Sequence, residues 1–557
     1  MLAEEREDWT FVLCDSLEKV FADERPRPMS LDIPYSVFLE EKASWQIALR
    51  PPTVEDVLEH ERLGDLRFTV TQGGEYVTLR TVELVPCSMT AYADADAGYL
   101  RTAPGMYPDL LRPMAGDVLK PIVAQWQAVW VDFLVRDAAQ GGEHLVTVEV
   151  ASTTTGRTLF SESVPITVIP KTLPPLSIVN THWFHCDGLS NYYNVEVFSE
   201  DHWVIIEKFI AKAREADINS LLTPTWTPPL DTAVGGTRLP TQLIEVWGDE
   251  SGYRFDFSKL LRWLELCKRH GIRYVEVAHF FTQWGAEFTP AIYVHRGGEL
   301  RREFGWDVRA TDPRYRTFLE ALVPQLRAVL TEYWDSDRVF YHISDEPVAA
   351  TLESYRRAKE VVADLLDGAQ IVDALSDYEF YESGVVPFPA VATDAVQPFI
   401  DNGVENYWVY YCVGQNRDVA NRFIGLPSSR NRVLGWQLFA FHVGGFLQWG
   451  YNFYNSQLSI RPIDPFLDTS VGGVFPAGDS FLVYPGTDGE PYESIRFRVF
   501  AQAMADHRAM SLAAESVGFS AVLRLIDPDG TLAFDRFEYD PDHYRRTREA
   551  INRLIVG

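Results

Sequence analysis

Along the first third of the chain, apolar and polar residues alternate one by one. "SWQIALRPP", "LRFTVTQGGEYVTLRTVELVP", "QAVWVDFLVRD" and "EHLVTVEVAS" each carry this period of two. Gly-Gly and Asp/Ala/Gly clusters separate them, so they predict half-buried strands joined by turns. Such strands without helical runs between them predict a β-sandwich over residues 1–172. "VIPKTLPPLS" follows with three prolines and reads as a stiff linker.

From about residue 176 the period changes. Short apolar runs now alternate with amphipathic helices: "SIVNTHWFH" then "DHWVIIEKFIAKAREAD", "INSLLTPT" then "FSKLLRWLELCKRHG", "IRYVEVAHFF" then "PRYRTFLEALVPQLRAVLTEY". "RVFYHISDEP", "AQIVDALS", "AVATD", "NYWVYYC" and "GGFLQWGYNF" supply further strands, and "ESIRFRVFAQAMADHRAMSLAAE" is a closing helix. About eight strand–helix units in this order predict a (β/α)8 TIM-type barrel over residues 173–557. A doubly wound sheet would want a Gly-rich phosphate turn after its first strand, and "THWFHCDG" is not one.

A length of 557 residues agrees with more than one domain. The formal charge of −29 excludes nucleic acid and anionic membrane surfaces as partners, since both demand basic patches. No window approaches 18 uninterrupted apolar residues, so no membrane span is expected. "MLAEEREDWTFVL" has neither a basic nor an apolar leader region, which predicts a cytoplasmic protein. The five cysteines are scattered without CxxC spacing, so neither a disulfide frame nor a zinc site is expected. Fifteen Trp, 25 Tyr and 33 Phe, many beside Gly, Pro or Asn, suit stacking on the apolar faces of sugars.

"FYHISDEPVAA", residues 340 to 350, carries the candidate chemistry. An apolar strand stops at two adjacent carboxylates, Asp345 and Glu346, and Pro347 forbids it to continue. In a barrel of this kind the active site lies at the C-terminal strand ends, and this pair ends the fourth. The other ends offer His182, His279, Trp284, Trp408, Tyr410, Trp449 and Asn452, an aromatic floor with hydrogen-bonding edges that suits a pyranose. No set of His, Cys, Asp and Glu shows metal-ligand spacing, with His182 and His185 the nearest to one; neither a metal nor another cofactor is expected.

Two carboxylates suggest glycoside hydrolysis, but an ordinary retaining enzyme sets them on opposite sides of the anomeric carbon. Neighbours at one strand end approach from one side. The glutamate near the seventh strand, Glu405, stands at its start, the wrong end of the barrel. A sugar with a 2-acetamido group removes the need for a protein nucleophile, because its own carbonyl oxygen can attack the anomeric carbon. Glu346 is then the general acid and Asp345 the anion that steadies the acetamido N–H, with mutual repulsion expected to hold Asp345 ionised and Glu346 protonated. A glycosidase for a non-acetamido sugar and a non-catalytic carbohydrate-binding protein remain alternatives.

These residues resemble glycoside hydrolase family 123, the β-N-acetylgalactosaminidases, and its wider relatives. "VWVDFLVRDAAQGGEH" and "GMYPDLLRP" are similar to the family's N-terminal sandwich; "FDFSKLLRWLELCKRHGI", "SDEP", "YWVYYC" and "GWQLFAFHVGGFLQWGYN" are similar to its barrel. "AGDSFLVYPGTDGEPYESIRFRVFAQAMADHRAM" resembles its closing segment. Where the family often has Gly before the acid pair, this chain has Ser344. The resemblance implies an exo-acting retaining hydrolase of oligosaccharides or glycoconjugates with a terminal β-N-acetylhexosamine, N-acetylgalactosamine first and N-acetylglucosamine as alternative. It also implies that Asp345 and Glu346 are catalytic.

Overall fold

The computed structural model describes residues 9–52 and 64–557. The first eight residues, on which the reading of an absent leader partly rests, lie outside them. Among the described residues, no helix is long and apolar enough to cross a membrane.

The alternating segments of the first third are strands. Lys42–Arg50, Leu66–Gln72, Val77–Cys87, Gln127–Leu134 and Gly142–Ser152 coincide with the four quoted stretches. Leu66–Gln72 and Val77–Cys87 join through Gly73, whose φ of 76° is left-handed and costs a glycine little. They divide between two sheets, one of seven strands and one of five. Strands without clear alternation, such as Thr10–Asp15 and Gly105–Pro113, complete them. The Pro-rich stretch differs from the expected linker, since strand Thr158–Thr172 includes its first half. Pro170 is tolerated there because the parallel register to Ser36–Leu39 shifts between Ile169 and Thr172, a bulge that demands no ladder N–H from it.

The second part contains a nearly closed barrel sheet of nine parallel strands. In chain order they are Val179–His182, Ser220–Thr223, Tyr274–Val277, Val339–Tyr341, Gln370–Ile371, Asp373–Leu375, Pro389–Ala392, Trp408–Tyr410 and Gly445–Gln448. Gln370–Ile371 and Asp373–Leu375 lie at opposite edges of this sheet, yet Val372 alone separates them in sequence. Gly445–Gln448 pairs with both Val179–His182 and Trp408–Tyr410. Gly445 needs its missing side chain: a Cβ there would stand 2.6 Å from the Trp408 ring. Helices Glu200–Arg214, Ser258–Arg269 and Pro313–Tyr333 alternate with the first four strands, the first and third started by Ser199 and Asp312 caps.

Two features were not legible in the periods. Hairpins Glu245–Asp249/Gly252–Asp256 and Ile292–Arg296/Glu299–Phe304 leave the barrel after its second and third strands and form a separate four-stranded sheet. The closing segment also returns to the N-terminal part: Pro491–Ser494 joins the seven-stranded sheet beside Gly105–Pro113 before helix Ile495–Val517 begins. Arg496 of that helix grips buried Asp109 through two bonds of 2.9 and 2.8 Å. The "ESIRF" block therefore ties the two parts together.

Candidate active site

The acid pair stands where strand Val339–Tyr341 leaves the barrel. Its exit is pinned from both sides: Ile343 N–H donates to Asp373 Oδ1 at 3.0 Å, and Ser344 Oγ donates to the Thr282 carbonyl at 2.8 Å. Ser344 is buried, so its hydroxyl meets its own hydrogen-bond need. Trp284 N–H donates to the Asp345 carbonyl at 3.1 Å. In an extended chain neighbouring side chains point to opposite faces. Here both acids line one pocket, because Glu346 adopts a left-handed φ of 43°. Such a conformation costs a non-glycine residue about 1–3 kcal/mol and concentrates at functional sites.

The pocket has about 620 Å³ of empty space, open to solvent. Asp345, Glu346, Trp183, Trp284, Tyr410, Cys412 and Trp449 line it, with Leu230, Asp231, Gln283 and Phe475. Tyr410 donates its phenolic O–H to Glu346 Oε1 at 2.8 Å, and Ser376 Oγ lies 3.1 Å from the same phenol. Trp449 Nε1–H donates to buried Asp479 at 2.8 Å, which fixes the indole plane.

Of the binding residues read from the sequence, Trp284, Tyr410 and Trp449 are in this wall. The other four are not among the lining residues. His182 packs edge-on against Phe446, Tyr451 and Phe500 outside the barrel interior. Strand alternation explains this: Thr181 and Trp183 point inward and reach Glu276, so His182 points out. His279 is buried and stacked on His342, with ring centroids 4.4 Å apart. Trp408 fills the barrel floor against Phe340 at 4.7 Å. Asn452 is buried against His185, accepting its N–H at 2.8 Å. Glu405 is exposed ahead of its strand.

The sequence reading missed Asp231, Leu230, Phe475 and Asp479. Asp231 comes from the long excursion after the second strand, where no period marks it. Arg238 folds that excursion back by gripping Asp187 and donating to the Leu230 carbonyl at 3.1 Å. Gln283 then accepts from Asp231 N–H at 2.6 Å, and Leu458 N–H donates to Asp231 Oδ2 at 3.0 Å. The one usable signal was a lone acid in an apolar loop, "PPLDTAV".

Electrostatics inside the pocket differ from the simple expectation. Burial, and next the neighbouring Glu346, drives Asp345 well above the usual carboxylate range. Burial also raises Glu346, although the Tyr410 hydrogen bond opposes this. The repulsion expected to hold Asp345 ionised falls on Asp345 instead, and together with desolvation it leaves both acids resistant to ionisation. Burial lifts Asp231 to about 6. Burial, with Glu346 adding to it, holds Cys412 well above the ordinary thiol range, so no thiolate nucleophile stands at this strand end.

Tyr410→Phe removes the donor that favours ionised Glu346. Loss of that bond raises the Glu346 pKa further, so the basic limb of kcat/KM should move to higher pH. A pH profile checks this; a limb moving the other way would contradict the assigned bond.

Comparison with known proteins bears on the fold and the family of the chain. In a family 123 glycoside hydrolase from Clostridium perfringens, whose structure addresses glycolipid glycan hydrolysis, 98% of the chain superposes on 99% of this one. The TM-score is 0.71 at 12% identity, a likeness of fold. A family 39 glycoside hydrolase from Bacteroides cellulosilyticus overlaps 76% of this chain and 77% of its own at 10% identity, with a TM-score of 0.32. Among curated proteins, none matches the chain in sequence. The family model described as "Glycoside hydrolase 123, catalytic domain" matches residues 183–513, more than half of the chain and inclusive of both acids. The chain thus belongs to glycoside hydrolase family 123.

Proposed function

We propose that this protein is an exo-acting, retaining β-N-acetylgalactosaminidase that works by substrate assistance. In this reading residues 1–172 are a β-sandwich and residues 173–557 a (β/α)8 barrel whose fifth strand is interrupted at Val372. One observation carries the mechanism: two successive carboxyls, Asp345 and Glu346, line one pocket, while at the seventh strand's end burial disfavours a thiolate at Cys412. The acetamido oxygen of the substrate then attacks the anomeric carbon and forms an oxazolinium ion. Glu346, protonated and steered by Tyr410, gives its proton to the leaving oxygen. Asp345 accepts the acetamido N–H; that bond favours its charged form and counters its desolvation. Water, deprotonated by Glu346, opens the ring and restores the β configuration.

Trp284, Trp449 and Phe475 provide apolar ring faces for the sugar, and Asp231 an acceptor for its hydroxyls. The Clostridium perfringens enzyme's glycolipid glycans make a glycoconjugate the natural substrate class to test. Chromogenic β-GalNAc, β-GlcNAc and β-galactoside substrates separate the readings. Turnover of the first above the second, and none of the third, is expected. Turnover of the galactoside would remove the acetamido group from the mechanism.

A further inference from the structure

Directly under the acid pair lies a buried polar layer with no part in the steps above. His342 stands three residues before Asp345, its ring between two acids. Nε2 lies 2.6 Å from Glu276 Oε1, and Nδ1 lies 3.4 Å from Asp373 Oδ1. The second contact is too poor for a hydrogen bond but close enough to favour charge. All three side chains are buried. Neutral donors meet the rest of both acids' capacity: Thr181 Oγ1 and Trp183 Nε1 for Glu276, Ile343 N–H and Tyr355 O–H for Asp373.

Among the described residues no lysine or arginine forms an ion pair with either acid; burial raises Asp373, with His342 the first group to oppose it, so a cation at His342 is what favours both acids as carboxylates. A neutral imidazole that donates Nε2–H to Glu276 would turn the bare Nδ1 lone pair toward the Asp373 carboxylate 3.4 Å away, a repulsion that a proton on Nδ1 removes. Burial works against charge on His342, but Glu276 first and then Asp373 outweigh it and raise the ring to about 10. His279, stacked on it, is driven the other way by burial and then by His342 itself.

A metal ion is the other occupant such a cluster suggests, since ligand atoms of His279, His342 and Asp373 lie within 4.8 Å of one another. The two imidazole planes are stacked at 20°, however, and an ion cannot lie in both. A proton fits this layer and a metal does not.

The layer acts on the pair above it. Around Asp345, the neighbouring Glu346 and the more distant Asp373 and Asp231 disfavour ionisation, and Cys412 is a neutral thiol; His342 is the group that favours it. We propose that His342, held as an imidazolium between Glu276 and Asp373, is a positioning residue whose fixed charge beneath the pocket eases the ionisation of Asp345 against the burial that opposes it. The proposal rests on the reading of Asp345 as the anion that supports the acetamido group. Trp183, tied to the same Glu276 and lining the pocket, would be held by the same layer.

The test compares the full-length protein with His342→Gln by carbon NMR of aspartate carboxyls, with Asp345 assigned through Asp345→Asn. The Asp345 midpoint should rise by about one pH unit or more in His342→Gln, a tenfold change in its ionisation equilibrium. The acid limb of kcat/KM should move upward with it, whereas a merely structural role would lower the rate evenly and leave the limb in place. An unmoved midpoint in the folded variant overturns the proposal. Should His342→Gln not fold, nitrogen NMR of histidines in the wild type decides. Two protonated ring nitrogens on His342 at about pH 8.5 support the proposal, and one bare nitrogen, or a stoichiometric metal, overturns it. Failure to hydrolyse any N-acetylhexosaminide would sink the proposed function while leaving the midpoint shift readable.

Discussion

Glu346→Gln is expected to lose roughly 10²–10⁴-fold in kcat/KM on natural glycosides, the usual worth of a general acid. Glutamine keeps the shape of the side chain and can still meet the Tyr410 phenol, so pocket geometry should survive. What disappears is the transferable proton. The loss should therefore depend on the leaving group: an alkoxide from a sugar needs protonation, while a nitrophenolate hardly does. On an activated aryl glycoside the same variant should fall far less in the ring-closing step. Its second step, which needs Glu346 as base, should then become limiting and produce a burst. A burst with a small loss on the aryl substrate, beside a large loss on the oligosaccharide, identifies the acid. Equal losses on both would remove Glu346 from that role.

Asp345→Asn tests the other half of the pair. Asparagine preserves size but cannot carry the charge that stabilises a developing oxazolinium ion. Removing one preorganised electrostatic contact of this kind costs about 10²–10³ in kcat. Because the charge matters most in the transition state, kcat should fall more than KM rises. Proton NMR of the first-formed wild-type product should show the β anomer, as two inversions require. An α product, or an Asp345→Asn variant within a few fold of wild type, would contradict the assignment.

The acid pair was legible because three local signals coincide: an apolar strand, its abrupt end in two carboxylates, and a proline that stops it. The barrel strands were legible because they are buried on both faces and read as short apolar runs between amphipathic helices. Each of the eight predicted segments overlaps an observed parallel strand, and "AQIVDALS" holds two. The pocket wall was harder. Strand alternation decides whether a residue near a strand end points inward, and a shift of one residue sends it outside. His182 illustrates this, since its neighbours Thr181 and Trp183 face in. Trp408 points inward but lies too deep, in the apolar floor below the pocket. Asp231 could not be found by period, because the Arg238 clamp and the Gln283 and Leu458 bonds that place it are tertiary. The two hairpins past the second and third strands escaped for a similar reason: they break the unit repeat without a composition shift to announce them. Likewise the raised Asp345 follows from burial, which adjacency of two charges in a sequence does not reveal.

The central claim is that the nucleophile belongs to the substrate. It is tested most directly by the inhibition constant of the N-acetylgalactosamine-derived thiazoline, a stable mimic of the bicyclic intermediate, measured against that of free N-acetylgalactosamine on the wild-type enzyme. Intermediate and transition-state analogues bind about 10²–10⁸-fold more tightly than ground-state ligands. An advantage within that range is the predicted result, reduced in Asp345→Asn by more than product binding is. A thiazoline that binds no better than the free sugar would contradict substrate assistance.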